Sequence, residues 1–176
     1  FEDKEPKLAS AGVYFGLKLP TGQTDVRNGA GLLAERSLQP GTGTTDAIVG
    51  GYFAQLLPMQ DLSWFAEGLV QAPMNSSDGY KPGTRVSLDT GVGYNATEHL
   101  SVMLQVNALF RGRDSGINAE PADSGGKFWF LSPGFSYAFT RDVVAYAYYQ
   151  IPIYQYVNGV QLTARSASAI GVSVRF

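Results

Sequence analysis

The single histidine, His99, is the first residue to consider for catalysis, because it stands beside Glu98 and an imidazole can serve as a general base. A Ser-His hydrolase needs that base next to an activated serine, whereas His99 falls in a short predicted turn. Zinc sites use several imidazole or thiolate ligands, and the chain has no second histidine and no cysteine. We therefore expect no catalytic residue, no metal site and no cofactor, which indicates a protein that is not an enzyme.

Polar residues of the predicted loops are weaker candidates for a binding site. Residues 41–45 (Gly-Thr-Gly-Thr-Thr) lack the lysine and the following helix of a phosphate-binding loop. Asp114, Glu120 and Asp123 could contact calcium or cations that bridge lipopolysaccharide, but we interpret them as solvated loop charges. The net charge of -2, from 13 basic and 15 acidic residues, provides no electrostatic attraction for nucleic acid.

Alternation with a period of two residues determines how these side chains are positioned. In one segment Leu104 and Val106 alternate with Gln105 and Asn107, so that one face suits hydrocarbon and the other suits water. The phase of the second segment is ambiguous, and the seventh is apolar or aromatic on both faces. The pattern predicts eight strands, at residues 8–19, 44–57, 62–72, 85–94, 100–110, 128–139, 143–154 and about 160–176.

The connections between these strands alternate in length. Residues 57–61, 95–98 and 140–142 are short, whereas residues 20–43, 73–83 and 112–126 are long and rich in Gly, Pro, Asp, Asn and Ser. Asn158-Gly159 predicts a tight hairpin turn before the last strand. Outer-membrane barrels have short periplasmic turns and long external loops. We therefore predict one domain over residues 1–176, an all-β, antiparallel, up-and-down transmembrane β-barrel of about eight strands.

A soluble barrel of the lipocalin type, with apolar residues inside, is the alternative fold. Its outward face would carry many Lys and Glu side chains, but charged residues make up only 16% of this chain, against about 25% in a typical soluble domain. Aromatic residues also cluster near the strand ends, as they do in membrane-interface girdles. These features favour the bacterial outer membrane, with both termini in the periplasm and with outer-membrane lipid and lipopolysaccharide as partners.

The charged residues of the strands are the best candidates for a functional site. An Arg or Lys that faced lipid near the midplane would cost about 2–4 kcal/mol, so we expect these side chains to point into the lumen. The mixture of signs favours paired networks over a selectivity filter of one sign. Such networks could hold the register of the barrel or line a substrate path, and both interpretations stay open. The lumen-lining candidates are Lys18, Asp46, Glu67, Arg85, Asp89, Arg165 and Arg175.

The end of the chain resembles the C-terminal signal that the barrel-insertion machinery reads. Gly171, Val174 and Phe176 match the pattern of this signal, and Ala169 departs from it at the polar position. The resemblance implies the insertion machinery as a partner of the unfolded chain.

Two longer segments resemble one family of outer-membrane barrels. They are residues 16–22 (Gly-Leu-Lys-Leu-Pro-Thr-Gly) and residues 148–155 (Tyr-Tyr-Gln-Ile-Pro-Ile-Tyr-Gln), the latter followed by Asn158-Gly159. Both are similar to the phenol meta-pathway degradation, or "transporter", family. Its members are typically longer, and this chain begins without a methionine or a signal-peptide core. We therefore expect a processed or truncated chain, and the resemblance implies the C-terminal part of a barrel of about twelve strands.

Strand number separates two functions. About twelve strands leave room for a small ligand, and the family resemblance implies a passive channel or transporter for small, often aromatic or apolar, molecules. Eight closed strands leave an interior filled by side chains, which suits a non-conducting scaffold or anchor. In that alternative, external loops 20–43 and 112–126 bind a protein partner. The channel is the preferred hypothesis.

Overall fold

The computed structural model describes residues 9–57 and 61–176, which form one antiparallel sheet of eight strands. The strands are β1 (Ala9–Lys18), β2 (Asp46–Leu56), β3 (Leu62–Pro73), β4 (Arg85–Asn95), β5 (Leu100–Arg111), β6 (Gly126–Ala138), β7 (Val143–Val157) and β8 (Ala167–Val174). Within these described ranges each strand pairs only with its neighbours in sequence. The predicted all-β, antiparallel, up-and-down architecture is confirmed. Within the described ranges no helix has the length and apolar character needed to cross a membrane.

The strand register divides the sheet into two faces, because residues directly opposite each other on paired strands point to the same side. One cross-strand row joins Phe15, Val49, Val70, Val86 and Phe110, and we call this side the apolar face. The other side, the polar face, carries Lys18, Asp46, Glu67, Arg85 and Asp89.

The apolar face has no protein covering it in the described part of the chain. Phe15 is 80% exposed and Ile170 is 84% exposed. Among the described residues Tyr80, which lies in a loop, is the one buried large hydrophobic residue. The packed apolar interior that a soluble lipocalin-like barrel requires is therefore not formed by these eight strands.

The two ends of the sheet differ in the length of their connections. Residues 19–45, 74–84, 112–125 and 158–166 connect strands at one end, the loop end, whereas 57–61, 96–99 and 139–142 connect them at the other, the turn end. The start of β1 and the end of β8 both lie at the turn end. Among the described residues β1 pairs only with β2 and β8 only with β7, so each leaves one edge of backbone groups unpaired.

The prediction for the last hairpin is wrong in one respect. Gly159 adopts a left-handed conformation (φ 59°), as a turn glycine does, but β8 begins only at Ala167. The backbone N–H of Val160 donates instead to Asp123 Oδ1 at 2.8 Å, so a side chain of the preceding loop takes the place of a ladder partner. Arg165 consequently lies in this loop and not on a strand facing a lumen.

Candidate functional site

Two carboxylates face each other at the middle of the polar face. Glu67 on β3 is the direct cross-strand partner of Asp89 on β4. Tyr14 Oη donates to Glu67 Oε1, and Asn107 Nδ2 donates to Asp89 Oδ1 at 2.6 Å. Ser132 Oγ extends the chain of hydrogen bonds by donating to Asn107 Oδ1 at 2.5 Å. We call Glu67 and Asp89 the mid-height pair; within the described residues neither forms an ion pair.

The mid-height pair concentrates negative charge and hydrogen-bond acceptors at one position. Like charges directly opposite each other on paired strands are destabilising, and here no described cation offsets the repulsion. Each carboxylate has lone pairs beyond those that Tyr14 and Asn107 occupy. The pair can therefore accept hydrogen bonds from a ligand hydroxyl or attract a cation.

Tyrosine rings fill much of the space over the glycines of the polar face. A Cβ on Gly50 would lie 2.4 Å from the ring of Tyr14, and one on Gly134 would lie 2.4 Å from the ring of Tyr148. These rings cover glycines of the neighbouring strand, an arrangement known from other sheets. Gly50 and Gly134 therefore provide space for the rings of Tyr14 and Tyr148.

A second carboxylate, Asp46, lies at the loop end of the polar face and is only 2% exposed. Thr44 Oγ1 donates to its Oδ1 at 2.6 Å, and Gln71 Nε2 donates to its Oδ2 at 2.6 Å. Lys18 Nζ forms an ion pair with Oδ2 at 2.9 Å and also donates to Thr42 Oγ1. Lys18 and Asp46 thus form the kind of paired network that the mixed signs of the strand charges predict.

Arg85 occupies the next position along the loop end of the polar face. Its cross-strand partners are Gln71 on β3 and Arg111 on β4's other neighbour, β5. Arg111 binds both carboxylate oxygens of Asp114, at 3.1 and 2.9 Å. Arg85 makes no ion pair with any described residue.

Hydrogen bonds join the connections at the loop end into one unit, the loop layer, made of residues 19–45, 74–84, 112–125 and 158–166. Asp114 links two of these connections. Tyr80 Oη donates to Asp114 Oδ2 at 2.8 Å, and the backbone N–H of Gly83 donates to Oδ1 at 2.8 Å. The Asp114 N–H in turn donates to Ser124 Oγ at 2.9 Å. Asp114 is 3% exposed, so its interpretation as a solvated loop charge is wrong, because these donors replace water.

Tyr80 is the centre of the loop layer. Burial and the hydrogen bond to Asp114 raise its pKa to about 12. The guanidinium of Arg36 lies over its ring at 5.3 Å from the ring centre, within the range of a cation-π contact. Arg36 also donates to the carbonyl oxygens of Thr24, Thr42 and Ser77. Sequence analysis missed Tyr80 and Arg36, because loops carry no periodicity that separates a buried residue from a solvated one.

The remaining predicted site residues lie near the turn end. Gly171 on the polar face lies under the ring of Tyr146, whereas Val174 and Phe176 are exposed. Arg175 follows β8, and its backbone N–H donates to the Asp142 carbonyl at 2.8 Å. The positions of Gly171, Val174 and Phe176 do not test recognition by the insertion machinery, so the C-terminal insertion signal stays a prediction.

His99 lies in the connection between β4 and β5, as the sequence predicts. Its Nδ1 is 3.1 Å from the carbonyl oxygen of Ala138. Across the described ranges, no group of three or more Asp, Glu or His side chains is placed to hold a metal ion.

Comparison with known proteins identifies a family that matches this chain. The model of the family described as "Putative MetA-pathway of phenol degradation" matches residues 3–164, up to the loop that precedes β8. The resemblance to a phenol-degradation family predicted from the sequence is confirmed. No curated protein matches the sequence.

Proposed function

This chain belongs to the phenol-degradation family that matches it, and on that premise we propose that it is an outer-membrane β-barrel through which small aromatic or apolar molecules pass. The two-sided sheet is the observation that carries the proposal. Strands that span a bilayer present apolar side chains to lipid and polar ones to the lumen. The apolar face would meet lipid, and the polar face would line the passage.

The distribution of strand charges supports this orientation. Lys127 is the cross-strand partner of Phe110 and therefore lies on the apolar face. Among the described residues it is the one charged strand residue on that face. It is the second residue of β6, at the loop end, where a lysine can extend its ammonium group to the membrane interface. As far as the structure describes it, the central part of the apolar face therefore presents no charged side chain to hydrocarbon.

The free edges of β1 and β8 bear on how the barrel closes. Backbone groups without hydrogen bonds cost several kcal/mol each in lipid, so both edges require partners in a membrane. The two strands could pair with each other, or further strands could stand between them. We propose the wider barrel of about twelve strands, because it leaves room for a ligand that eight strands do not.

The mid-height pair and the tyrosines suit a phenolic or aromatic cargo. A phenol hydroxyl can donate to a free lone pair of Glu67 or Asp89, and its ring can pack on the ring of Tyr14. The family description names phenol degradation, and a degradation pathway requires entry of its substrate.

Conductance in planar bilayers tests the proposal. We expect discrete current steps from the full-length protein, together with phenol uptake by liposomes that contain it. The Asp114→Ala variant, which loosens the loop layer, should increase conductance, whereas Glu120→Ala in the same loop should not. Inserted protein that neither conducts nor accelerates phenol uptake would refute the channel.

A non-conducting scaffold is the second candidate, and the loop layer is the observation that favours it. The loops bind one another, as where Asn118 Nδ2 donates to the Asp78 carbonyl at 2.7 Å, and they bind the strand end of the polar face, where Lys18 on β1 donates to Thr42 Oγ1. A closed layer would block passage and present a fixed external surface. The same conductance measurement separates the two functions.

A further inference from the structure

We propose that a cavity beneath the loop layer binds the carboxylate of a small molecule through Arg85. The cavity has a volume of about 390 Å³ and lies between Lys18, Asp46, Gln71 and Arg85 on the strands and loop residues that include Thr42. This volume is within the range of roughly 300–1,000 Å³ that is usual for small-ligand sites. The ligand would be a cargo of the proposed channel, and only this role as cargo rests on the proposed function; the binding site itself does not.

Charge balance on the cavity wall singles out Arg85. Lys18 and Asp46 neutralise each other at 2.9 Å, and Thr44 and Gln71 occupy further lone pairs of Asp46. Arg85 is then the wall cation that lacks an acidic partner among the described residues. One positive charge remains uncompensated in the cavity, and it matches a ligand with a single negative charge.

The acidic residue on the neighbouring strand side is not available to Arg85. Arg111 lies directly across from Arg85 on β5, and Arg111 is paired with Asp114 at 2.9 Å. Asp114 therefore balances Arg111, and the charge of Arg85 is left for a ligand.

The chemistry of the guanidinium group favours a carboxylate. Its N–H donors form a planar fork whose spacing fits the two oxygens of a carboxylate, giving two parallel hydrogen bonds. A phosphate would carry more negative charge than Arg85 alone can balance. We therefore assign the site to carboxylates, with aromatic acids as the members that fit the proposed cargo.

The loop walls of the cavity are held by close backbone contacts. A Cβ on Gly41 would lie 2.3 Å from the carbonyl oxygen of Gly22, and one on Gly83 would lie 2.0 Å from that of Gly112. Three prolines restrict the same walls: Pro20, Pro40 and Pro82. Such walls are already ordered before a ligand arrives, which lowers the entropic cost of binding.

Fluorine NMR titration of the full-length protein in detergent micelles tests the site. The probe is fluorobenzoate, and fluorobenzamide is its neutral counterpart. We expect Arg85→Gln to weaken fluorobenzoate binding tenfold or more and to leave the weaker fluorobenzamide binding unchanged. Arg85→Lys keeps the charge but not the fork, so it should give an intermediate affinity. Arg141→Gln removes the same charge from a turn-end connection and should have no effect.

Three results would overturn the assignment: no fluorobenzoate binding by the wild-type protein, equal binding by Arg85→Gln, or displacement by equimolar inorganic phosphate. Conductance of the same preparations keeps this test separate from the channel proposal. If the protein conducts but does not bind fluorobenzoate, the proposed carboxylate site is refuted and the channel proposal stands. If the protein binds fluorobenzoate with the expected dependence on Arg85 but does not conduct, the carboxylate site stands and the channel proposal is refuted.

Discussion

The carboxylates at the loop end and those at mid-height are held in opposite ways. Asp46 and Asp114 are almost fully buried, and each contacts a cation and at least two further donors. Glu67 and Asp89 are half-buried, face each other and contact no described cation. The comparison indicates that the loop-end carboxylates stabilise the fold, whereas the mid-height pair is unfavourable for folding and available to a ligand.

The largest expected effect comes from removing a loop-end carboxylate. Asp114→Ala leaves Arg111 without its partner and the donors of Tyr80 and Gly83 without an acceptor. Breaking a buried ion pair in this way costs about 3–5 kcal/mol. We expect faster hydrogen exchange at residues 80–83 and 112–115, measured by mass spectrometry.

The matched control for that variant is Glu120→Ala, which removes an exposed carboxylate from the same loop. Hydrogen exchange should stay at the wild-type rate in this control. If the two variants exchange equally fast, Asp114 has no special role, and the contrast between buried and exposed carboxylates in the loop layer fails.

Period-two alternation explains why the strands could be predicted. Seven of the eight strands have observed limits close to the predicted ones, because alternation itself determines which residues share a face. The face of Glu67 and that of Asp89 follow from the same parity. Parity also predicts that neither residue would face lipid in a membrane barrel.

The phase of β7 could not be predicted, and the structure gives the reason. The register between β6 and β7 shifts at Trp129/Phe130, where Trp129 pairs with Tyr154 and Phe130 with Pro152. Ile153 is the extra residue of this bulge, so the residues that follow it change face. A bulge interrupts the period of two without leaving a distinctive residue type.

The partners of the site residues were equally beyond sequence analysis. Lys18 and Asp46 meet across a loop of about 27 residues, and Asp114 is buried by Tyr80 from a different loop. The first contact depends on the register of β1 and β2, which places Lys18 directly opposite Asp46 and which a connection of that length does not fix. The second depends on how loops pack, and loops carry neither helical nor strand periodicity. The charges could be predicted, therefore, but not which of them are neutralised.

The second largest effect on stability is expected from the titration of Tyr80, which makes the stability of the loop layer depend on pH. Its pKa is raised from 10.0 to about 12, so folding favours the neutral phenol. The stability it contributes is fully present below pH 10 and is lost as the pH rises through 12. A shift of this size corresponds to about 2–3 kcal/mol.

Guanidinium unfolding of the refolded protein between pH 8 and 12 measures this loss. Tyr80→Phe has no phenol to ionise, so its stability should fall less over the same interval, although it also lacks the hydrogen bond to Asp114. Parallel pH dependence in the wild type and in Tyr80→Phe would contradict the role of Tyr80 in the loop layer.

The smallest expected effect has the opposite sign and belongs to the mid-height pair. Glu67→Gln keeps an acceptor for Tyr14 but removes the repulsion with Asp89, so the free energy of unfolding should increase by about 0.2–1 kcal/mol. Asp46→Asn is the matched control and should lower it, because Lys18 loses its counter-ion. Denaturant midpoints of the wild type and both variants, measured in one detergent, give both changes. If the two variants shift the midpoint in the same direction, the mid-height pair is as structural as the loop-end carboxylates, and its availability to a ligand must be rejected.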